Sequence, residues 1–408
     1  MGSAKILDKQ QNANRKPIGP GGKLFRLLFE NLKTGKLTVH WPDGSQSEHA
    51  GEQGQNFTGV LEIKNPRFFR RVLRGGALGF AESYMDGDWH TPDLSGLLEV
   101  LSLNLSDLDK HIGNSRLLTA LQRMIHVMRP NTRRGSRKNI HAHYDLGNDF
   151  YQLWLDPSMT YSSARFQETK NSLESAQHNK YKALADMMDL KAGHHVLEIG
   201  CGWGGFAEFA ASEIGCKVTG LTISNEQLDF AQQRMINKGI NDHVELRFQD
   251  YRDVSEKYDR VVSIEMFEAV GEKYWPTYFD KVHHCLKKGG KAGLQIITID
   301  NEKFKSYRKK TDFIQKYIFP GGMLPSPARL REEFERARLH LVEKQDFSLD
   351  YAKTLAKWRH RFVERWVDIQ PLGFDTRFKR MWEYYLAYCE AGFRSNSIDV
   401  SQFLLEKK

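Results

Sequence analysis

Short apolar runs alternate with segments of helical periodicity from residue 175 onward. The apolar runs predict buried strands at 196–199, 217–221, 260–264 and 292–299. Before the first strand, one helical face carries Tyr181, Leu184, Met187 and Met188. Strands that alternate with helices form a parallel sheet with helices on both faces. The pattern therefore predicts an α/β fold with a mainly parallel sheet for this region.

The N-terminal part of the chain has a different pattern. Apolar and polar residues alternate over 37–41 and again over 61–63, and Pro-Asp-Gly at 42–44 predicts a turn between antiparallel strands. Pro66 predicts the start of a short helix, and Gly75-Gly76 predicts its end. We therefore predict a disordered lead-in at 1–20 and a small α+β domain with an antiparallel sheet at 21–122.

A basic segment follows this domain. Residues 123–138 hold five arginines and one lysine without a single acid, and Pro130 and Gly135 interrupt any long helix. We assign 123–140 to a linker and 141–408 to a second domain. The linker is either a solvated spacer or a contact with an anionic membrane.

Two late segments carry aromatic residues at helical spacing. One segment holds Leu355, Trp358, Phe362 and Trp366, and the other holds Phe378, Met381, Trp382, Tyr385 and Cys389. Such stripes usually form core, and the alternative is that they line a channel for a lipid chain.

Composition narrows the class of protein. The 408 residues are 40% hydrophobic, enough for a sizeable core, and the net charge is +9. That charge favours an anionic partner, either a nucleic acid or a membrane surface, or it serves solubility alone. No run approaches the ~18 apolar residues of a membrane-spanning helix, and the N-terminus lacks the apolar core of a secretion signal. We therefore expect a cytoplasmic protein.

The cysteines give little support to metal or disulfide chemistry. Cys201, Cys216, Cys285 and Cys389 form no C-x-x-C pair, and no second cysteine lies at metal-ligand spacing from Cys285. We therefore predict no metal site and no disulfide framework.

A glycine-rich segment joins the first predicted strand to a helix. Residues 196–205 read Val-Leu-Glu-Ile-Gly-Cys-Gly-Trp-Gly-Gly, with G-x-G-x-G spacing instead of the G-x-G-x-x-G of a dinucleotide pyrophosphate loop. This spacing suits a smaller ligand lying against the backbone, and a structural glycine turn is the alternative. The next strand ends without an acidic residue for ribose hydroxyls, so the polar candidates there are Thr222, Ser224 and Gln227.

Six further motifs occur in one order and point to a family. Together with E-x-G-x-G at 198–202, they closely resemble the cyclopropane fatty acid synthases and mycolic acid cyclopropane synthases, which are class I S-adenosylmethionine-dependent methyltransferases. The motifs are Ala142–Asp149, Met159–Ala164, Gly220–Ser224, Gln249–Asp253, Met266–Gly271 and Tyr317–Ser326. Segments 71–76 and 82–89 extend the resemblance to the N-terminal, lipid-binding domain of the phospholipid-acting synthases.

The resemblance implies a Rossmann-like methyltransferase domain and a reaction at a carbon–carbon double bond. Members transfer the methyl group of S-adenosylmethionine to an unsaturated acyl chain, a carbocation forms, a proton leaves the new methyl group, and a ring closes. An alkene is a weak nucleophile, so catalysis depends on positioning and on a dry site. An aromatic face suits a transient cation, which makes Tyr317 a candidate, unless it only packs the acyl chain.

The resemblance also implies a set of residues that bind the cofactor S-adenosylmethionine. They are Tyr161, Ser162, Gly200, Gly202, Leu221, Thr222, Gln227, Tyr251, Arg252 and Ile264. Tyr161 is expected to face the sulfonium, and Glu198 is expected to orient the glycine loop. Trp203 is either a further contact or a core residue.

The family holds a bicarbonate ion as the base that takes the proton. The ligands of that ion correspond to Ser163, Glu268, Gln295, Ile297 and Tyr351 in this chain. Ser163 replaces the Cys of many members, which matters little if the main-chain N–H is the ligand. Gln295 replaces a His, and an amide donates and accepts hydrogen bonds but takes up no proton. Glu268 is an alternative base if burial raises its pKa.

These replacements leave the product open. Efficient ring closure gives a cyclopropane acyl chain, which we favour, and loss of the proton elsewhere gives a methyl- or methylene-branched chain. A protein that binds lipid and S-adenosylmethionine without turnover is an alternative of another class. A nucleic-acid methyltransferase is disfavoured, because residues 264–269 lack an Asp-Pro-Pro-Tyr type loop.

The basic character of the chain then predicts its partner. We expect the substrate to be the acyl chain of a phospholipid, reached at the inner face of an anionic cytoplasmic membrane, and we expect no nucleic acid. The predicted contacts are the linker arginines together with Arg67, Arg70, Arg71 and Arg74. A homodimer is expected from the resemblance alone.

Replacing Arg133, Arg134 and Arg137 by Ala should weaken binding to anionic vesicles. Each basic residue near the surface contributes about 1 kcal/mol, so the triple variant should bind at least tenfold more weakly at low salt. Co-sedimentation with anionic and zwitterionic vesicles measures this, and equal binding of both proteins to anionic vesicles contradicts it.

Overall fold

The computed structural model describes residues 18–112, 146–167 and 171–408, with only the backbone for 105–112. These residues form two compact units. The first contains 18–112 and Phe374–Ser395, and the second contains the remaining described residues. The predicted basic linker lies outside the described residues. The first helix begins at Gly19, inside the segment predicted to be disordered, of which residues 1–17 also lie outside the described residues.

The elements are numbered in chain order. The strands are β1 Thr34–His40, β2 Gln46–Ala50, β3 Gln53–Ile63, β4 Trp89–His90, β5 His195–Ile199, β6 Lys217–Thr222, β7 Val244–Phe248, β8 Tyr258–Ile264, β9 Leu286–Ile299, β10 Leu339–Asp346 and β11 Ile398–Lys407. The α-helices are α1 Gly19–Glu30, α2 Arg67–Met85, α3 Leu94–Ile112, α4 Asn148–Trp154, α5 Leu173–Met187, α6 Gly205–Phe209, α7 Asn225–Lys238, α8 Trp275–Cys285, α9 Asn301–Tyr307, α10 Pro327–Arg336, α11 Ser348–Glu364, α12 Trp366–Ile369 and α13 Thr376–Arg394.

The first unit contains a four-stranded sheet in the order β2-β1-β3-β4. β1 and β2 pair antiparallel across the turn predicted at 42–44, with Leu37 opposite His49. The two alternating runs predicted at 37–41 and 61–63 lie in β1 and at the end of β3. β3 pairs with β1 in parallel, so the sheet is mixed and the prediction of an antiparallel sheet is wrong at this strand. Alternating apolar residues determine which face of a strand is buried, but they do not determine the direction of its neighbour.

The helix predicted from Pro66 is interrupted at the glycine pair, where its end was predicted. Gly76 adopts φ +54° and ψ −136°, which is not helical, so α2 consists of two helical segments joined by a kink, and the second ends at Met85. Glycine tolerates a positive φ, which lets it form this kink. The ring of Phe25 in α1 packs 5.5 Å from Phe68 and 5.6 Å from Phe69.

The helix α13 packs in the first unit although it lies near the C-terminus. The guanidinium of Arg380 lies 4.0 Å from the ring centre of Tyr84, and the ring of Tyr384 lies 5.7 Å from that ring. The predicted division placed this helix in the domain at 141–408. Trp382 of its aromatic stripe is buried, as core residues are.

The second unit contains a seven-stranded sheet in the order β10-β11-β9-β8-β5-β6-β7. The five strands from β9 to β7 are parallel, and β11 runs antiparallel to β9 and β10. Leu197 and Ile199 of β5 pack in the core that includes α8, whereas Val196 packs in the core that includes α5. The prediction of a mainly parallel α/β sheet covered on both faces is confirmed.

Replacing Phe279 of α8 by Ala should destabilise the protein strongly. The side chain is fully buried, and its ring lies 5.0 to 5.1 Å from the rings of Phe267, Tyr278 and Phe334. The cavity should lower the free energy of unfolding by about 3–5 kcal/mol in urea denaturation. Val367→Ala is the control, because Val367 is 73% exposed and its truncation should change stability by no more than about 0.5 kcal/mol.

Candidate active site

The glycine loop connects β5 to α6 at one edge of the sheet. Gly200 and Gly202 adopt φ of +83° and +53°, a conformation that strains other residues. The N–H groups of Gly200 and Cys201 donate to the carbonyl of Leu221 at 3.0 and 2.8 Å. A Cβ at Gly202 would meet no atom within 4 Å. The backbone therefore borders open space in which a ligand can lie.

The other predicted cofactor residues lie at the same edge. Thr222 ends β6, Tyr251 follows β7 and Ile264 ends β8. The carboxyl ends of parallel strands share one edge of a sheet, and ligands of open α/β folds bind there. The fold therefore brings to one edge residues that are far apart in the sequence.

Hydrogen bonds hold the polar side chains at this edge. The Thr222 hydroxyl donates to Gln227 Oε1 at 3.0 Å, and Ser224 Oγ accepts from the Gln227 N–H at the start of α7. The Arg252 guanidinium forms an ion pair with Asp250 at 2.6 Å. These contacts order the side chains around the predicted cofactor position.

The side chain of Glu198, on β5, contacts the helix that follows the glycine loop. Its side chain is buried, which raises its pKa to about 8, and its carboxyl group accepts from the Ala207 N–H in α6. This bond links β5 to the helix after the loop, and the orienting role expected of Glu198 stays a prediction.

The segment Tyr161–Ser163 contributes an aromatic ring and two buried serines. The ring of Tyr161 lies 5.5 Å from Tyr151, 5.6 Å from Trp154 and 5.4 Å from Trp358. Ser162 Oγ accepts from the fully buried Lys180 Nζ at 2.6 Å. Tyr161 is thus part of an aromatic cluster, which favours the low-dielectric surroundings that a sulfonium reaction needs.

A residue absent from the sequence-based list lies at the centre of the predicted anion site. Glu265 Oε1 accepts from the Ser163 N–H at 2.8 Å and from Gln295 Nε2 at 2.7 Å. Its Oε2 accepts from the Tyr351 hydroxyl at 2.5 Å. Three of the five predicted bicarbonate ligands therefore converge on one carboxylate of the chain itself.

A chain of hydrogen bonds determines the direction of the Gln295 amide. Arg165 Nη1 donates to Gln402 Oε1 at 2.8 Å, and Gln402 Nε2 donates to Gln295 Oε1 at 3.1 Å. Arginine has no acceptor, so the amide oxygen of Gln402 must point to it and its NH₂ group to Gln295. The NH₂ group of Gln295 is then directed at Glu265.

The remaining predicted anion ligands pair with each other. The Ile297 N–H donates to Glu268 Oε1 at 2.5 Å. Gln295 and Tyr351, two other predicted ligands of the ion, both donate to Glu265. The two glutamates are three positions apart, and the turn after β8 directs Glu265 towards the donors.

Burial dominates the ionisation of these groups. Burial raises the pKa of Glu265, whereas its three hydrogen bonds and the charge of the nearby Lys180 lower it. Burial, together with the charge of Glu265, raises the pKa of Glu268 to about 8. Burial lowers the pKa of Lys180, whereas the charges of the surrounding carboxylates raise it. The carboxylate with more donors, Glu265, therefore retains the negative charge more readily than Glu268.

Tyr317 packs against another aromatic ring. It belongs to a π-helical turn, Ile314–Ile318, and its ring packs 5.5 Å from Phe313. Its predicted contact with a cation stays a prediction.

Comparison with known protein families identifies the family of this chain. A profile of the mycolic acid cyclopropane synthetase family matches residues 131–403. The chain belongs to this cyclopropane synthase family. It is 39% identical to a tuberculostearic acid methyltransferase of Mycobacterium tuberculosis over 375 residues, 85% of each chain.

Other members of the cyclopropane synthase family are similar over comparable lengths. A cyclopropane-fatty-acyl-phospholipid synthase of Escherichia coli is 39% identical over 357 residues, 85% of this chain and 87% of that one. The solved cyclopropane synthase MmaA2 of M. tuberculosis is 30% identical with a TM-score of 0.63, covering 66% of this chain and 98% of that one. The fold and family inferred from the sequence are thereby confirmed.

Membership makes this chain an S-adenosylmethionine-dependent methyltransferase. A solved mycolic acid cyclopropane synthase with the same TM-score of 0.63 is complexed with S-adenosylhomocysteine. The residues of this chain fit such a ligand, because the backbone at Gly202 faces open space at the edge where Thr222 and Tyr251 lie. When bound, S-adenosylmethionine supplies an electrophilic methyl group.

Sequence analysis did not identify two residues of the site, Glu265 and Lys180. Glu265 is one of two acids in Ile264-Glu-Met-Phe-Glu268, and the motif comparison drew attention only to the second. Lys180 lies on the buried face of α5 beside Tyr181, where a fully buried lysine is rare. The sequence features that could have identified them are a lysine on a helical face of core residues and a second acidic residue directly after a strand.

Replacing Gly200 by Ala should weaken binding of S-adenosylmethionine. The added Cβ would lie 2.6 Å from Met266 Cγ, and φ is +83°. The loop must shift, and we expect at least a tenfold loss of affinity in calorimetric titration. Gly193→Ala is the matched control, because Gly193 has φ +81° and a Cβ there meets no atom within 4 Å. Equal affinities of the two variants would contradict the prediction.

Proposed function

We propose that this methyltransferase adds a methyl group to the double bond of an unsaturated acyl chain of a membrane phospholipid and closes a cyclopropane ring. The observation that carries the proposal is a pair of partly buried glutamates, Glu265 and Glu268, whose carboxyl pKa values are raised by desolvation, beside the turn that holds Tyr161 and Ser163. Such a pair suits a reaction whose last step is removal of a proton from carbon.

The chain's own residues supply what a weak nucleophile needs. The aromatic cluster around Tyr161 keeps water from the reacting centre and orients the acyl chain. A carbocation reacts rapidly with water, so a dry site is required for ring closure. A carboxylate aimed at the new methyl group removes the proton.

A methylene-branched product is the second candidate. Gln295 stands where family members have a His, and a relative at 39% identity is named a tuberculostearic acid methyltransferase. A hydride shift first moves the positive charge to the carbon that bears the new methyl group. Loss of a proton from that methyl group then gives a methylene branch on the chain. Both routes remove one proton from the new methyl group, so the same buried base serves either.

The first unit supports a membrane surface as the place of reaction. Leu24 and Leu27 of α1 are 41% and 57% exposed, and Arg70 and Arg74 of α2 are also exposed. Exposed apolar residues beside basic ones suit an anionic lipid surface. None of the described helices is long and apolar enough to cross a bilayer.

The other two arginines predicted to contact lipid form ion pairs within the first unit. Arg67 pairs with Asp88, and Arg71 pairs with Asp86 at 2.6 Å. We therefore assign the membrane contact to Arg70 and Arg74 and a structural role to Arg67 and Arg71.

The product of the purified protein tests the proposal. Incubation with S-adenosylmethionine and vesicles of a mono-unsaturated anionic phospholipid should add one CH₂ per acyl chain, measured by mass spectrometry of the released fatty acids. Proton NMR should show the upfield signals of a cyclopropane and no olefinic signal.

Saturated phospholipid is the control, because it offers no double bond to methylate. The same mass gain with olefinic signals of a methylene group would establish the second candidate. Absence of a mass gain on every unsaturated lipid tested would contradict both and favour a binding protein without turnover.

A further inference from the structure

We propose that the carboxylate of Glu265 fills the anion position of the active site, so that the chain carries its own base and uses no bicarbonate. This proposal rests on the function proposed above, because it assigns the base of that reaction. Three donors, the Ser163 N–H, the Gln295 amide and the Tyr351 hydroxyl, already contact this carboxylate at 2.5 to 2.8 Å.

A bicarbonate ion does not fit the predicted ligands. The fourth donor of the predicted set, the Ile297 N–H, contacts Glu268 at 2.5 Å. Every donor assigned to the ion is therefore engaged by a carboxyl group of the chain. An added anion would have to displace Glu265 or lie beside two buried acidic side chains, where the low dielectric strengthens repulsion.

The backbone of Glu265 is adapted to this position. Its φ is +49°, in the left-handed region that few residues other than glycine adopt. A strained conformation persists only where the surroundings hold it. The three hydrogen bonds to the side chain provide that restraint, and the Glu265 N–H also donates to the carbonyl of Gln295 at 2.8 Å.

The charges around the pair distinguish the two glutamates. Glu265 has three donors and the nearby Lys180, whereas the donors to Glu268 in the described structure are two backbone N–H groups, those of Ile297 and of Glu268 itself. Hydrogen bonds to the ionised form favour ionisation, and two adjacent carboxyl groups avoid carrying two charges. Glu265 is therefore the ionised member, able to accept a proton.

The proton transfer balances without another reactant. One Glu265 oxygen takes a proton from the methyl carbon of the methylated chain. The electron pair of the broken C–H bond forms the new C–C bond and cancels the positive charge. The carboxylic acid so formed returns its proton to water before the next turnover.

Thermal unfolding tests the anion position without any turnover. The variants are Glu265→Gly, which suits the left-handed backbone and vacates three donors, and Asp189→Gly as a matched control. Asp189 is an exposed carboxylate with φ +52° outside the site. Bicarbonate, compared with chloride at equal pH and ionic strength, should raise the unfolding midpoint of Glu265→Gly in a saturable way.

The midpoints of the unsubstituted protein and of Asp189→Gly should not respond to bicarbonate. A saturable rise for the unsubstituted protein would overturn the proposal, because its anion position would then be vacant. Lack of any response by a folded Glu265→Gly would also overturn it, because the three donors would then not form an anion position.

Activity tests the role as base. Turnover of the unsubstituted protein, followed as release of S-adenosylhomocysteine with unsaturated vesicles, should change less than twofold between CO₂-free buffer and added bicarbonate. Glu265→Gln and Glu265→Gly should each lose at least 100-fold in CO₂-free buffer, the range typical of a lost general base. Bicarbonate should restore Glu265→Gly at least tenfold, and it should not restore Glu265→Gln, whose amide still fills the space.

Binding of S-adenosylmethionine, measured by calorimetry, should be unchanged in both variants, which separates loss of a base from loss of structure. A requirement of the unsubstituted protein for bicarbonate would overturn this inference and leave the proposed function intact. Absence of turnover on every unsaturated lipid would overturn the proposed function, and the thermal test would still decide whether Glu265 occupies the anion position.

Discussion

A buried carboxylate has to be surrounded by donors, and the second unit meets this requirement at Glu265 with groups from three distant parts of the chain. The donors lie 102, 30 and 86 positions away, on the segment after α4, on β9 and on α11. Loss of one donor would leave the Glu265 charge with less compensation, which is costly. The geometry of the site therefore depends on correct packing of the whole unit.

The same constraint explains the importance of the antiparallel strand β11. Gln402 lies directly opposite Gln295 in the pairing of β11 with β9. A shift of one residue would move Gln402 to the other face and remove the bond that directs the Gln295 amide. Arg165, which only donates, gives this chain of hydrogen bonds a single direction towards Glu265.

Methyl transfer to an alkene and removal of a proton from carbon place opposite demands on a site. The cation needs apolar and aromatic surroundings, whereas the base needs a stabilised negative charge. In the reaction proposed for this methyltransferase, the rings around Tyr161 meet the first demand, and the donors around Glu265 meet the second. Burial serves both, because it excludes water and raises the proton affinity of the carboxyl groups.

Local patterns in the sequence were sufficient for β5, β6, β8 and β9 of the seven-stranded sheet, for the glycine loop and for the family, because periodicity, glycine spacing and motifs are properties of neighbouring residues. They did not identify β7, β10 or β11. The roles of Glu265 and Glu268 were not accessible in this way. They are three residues apart, and a left-handed turn after β8 selects which one meets the donors. The parallel pairing of β3 and the packing of α13 in the first unit likewise depend on contacts between distant segments. Such contacts exist only after the chain has folded, which is why the tertiary structure alone decided them.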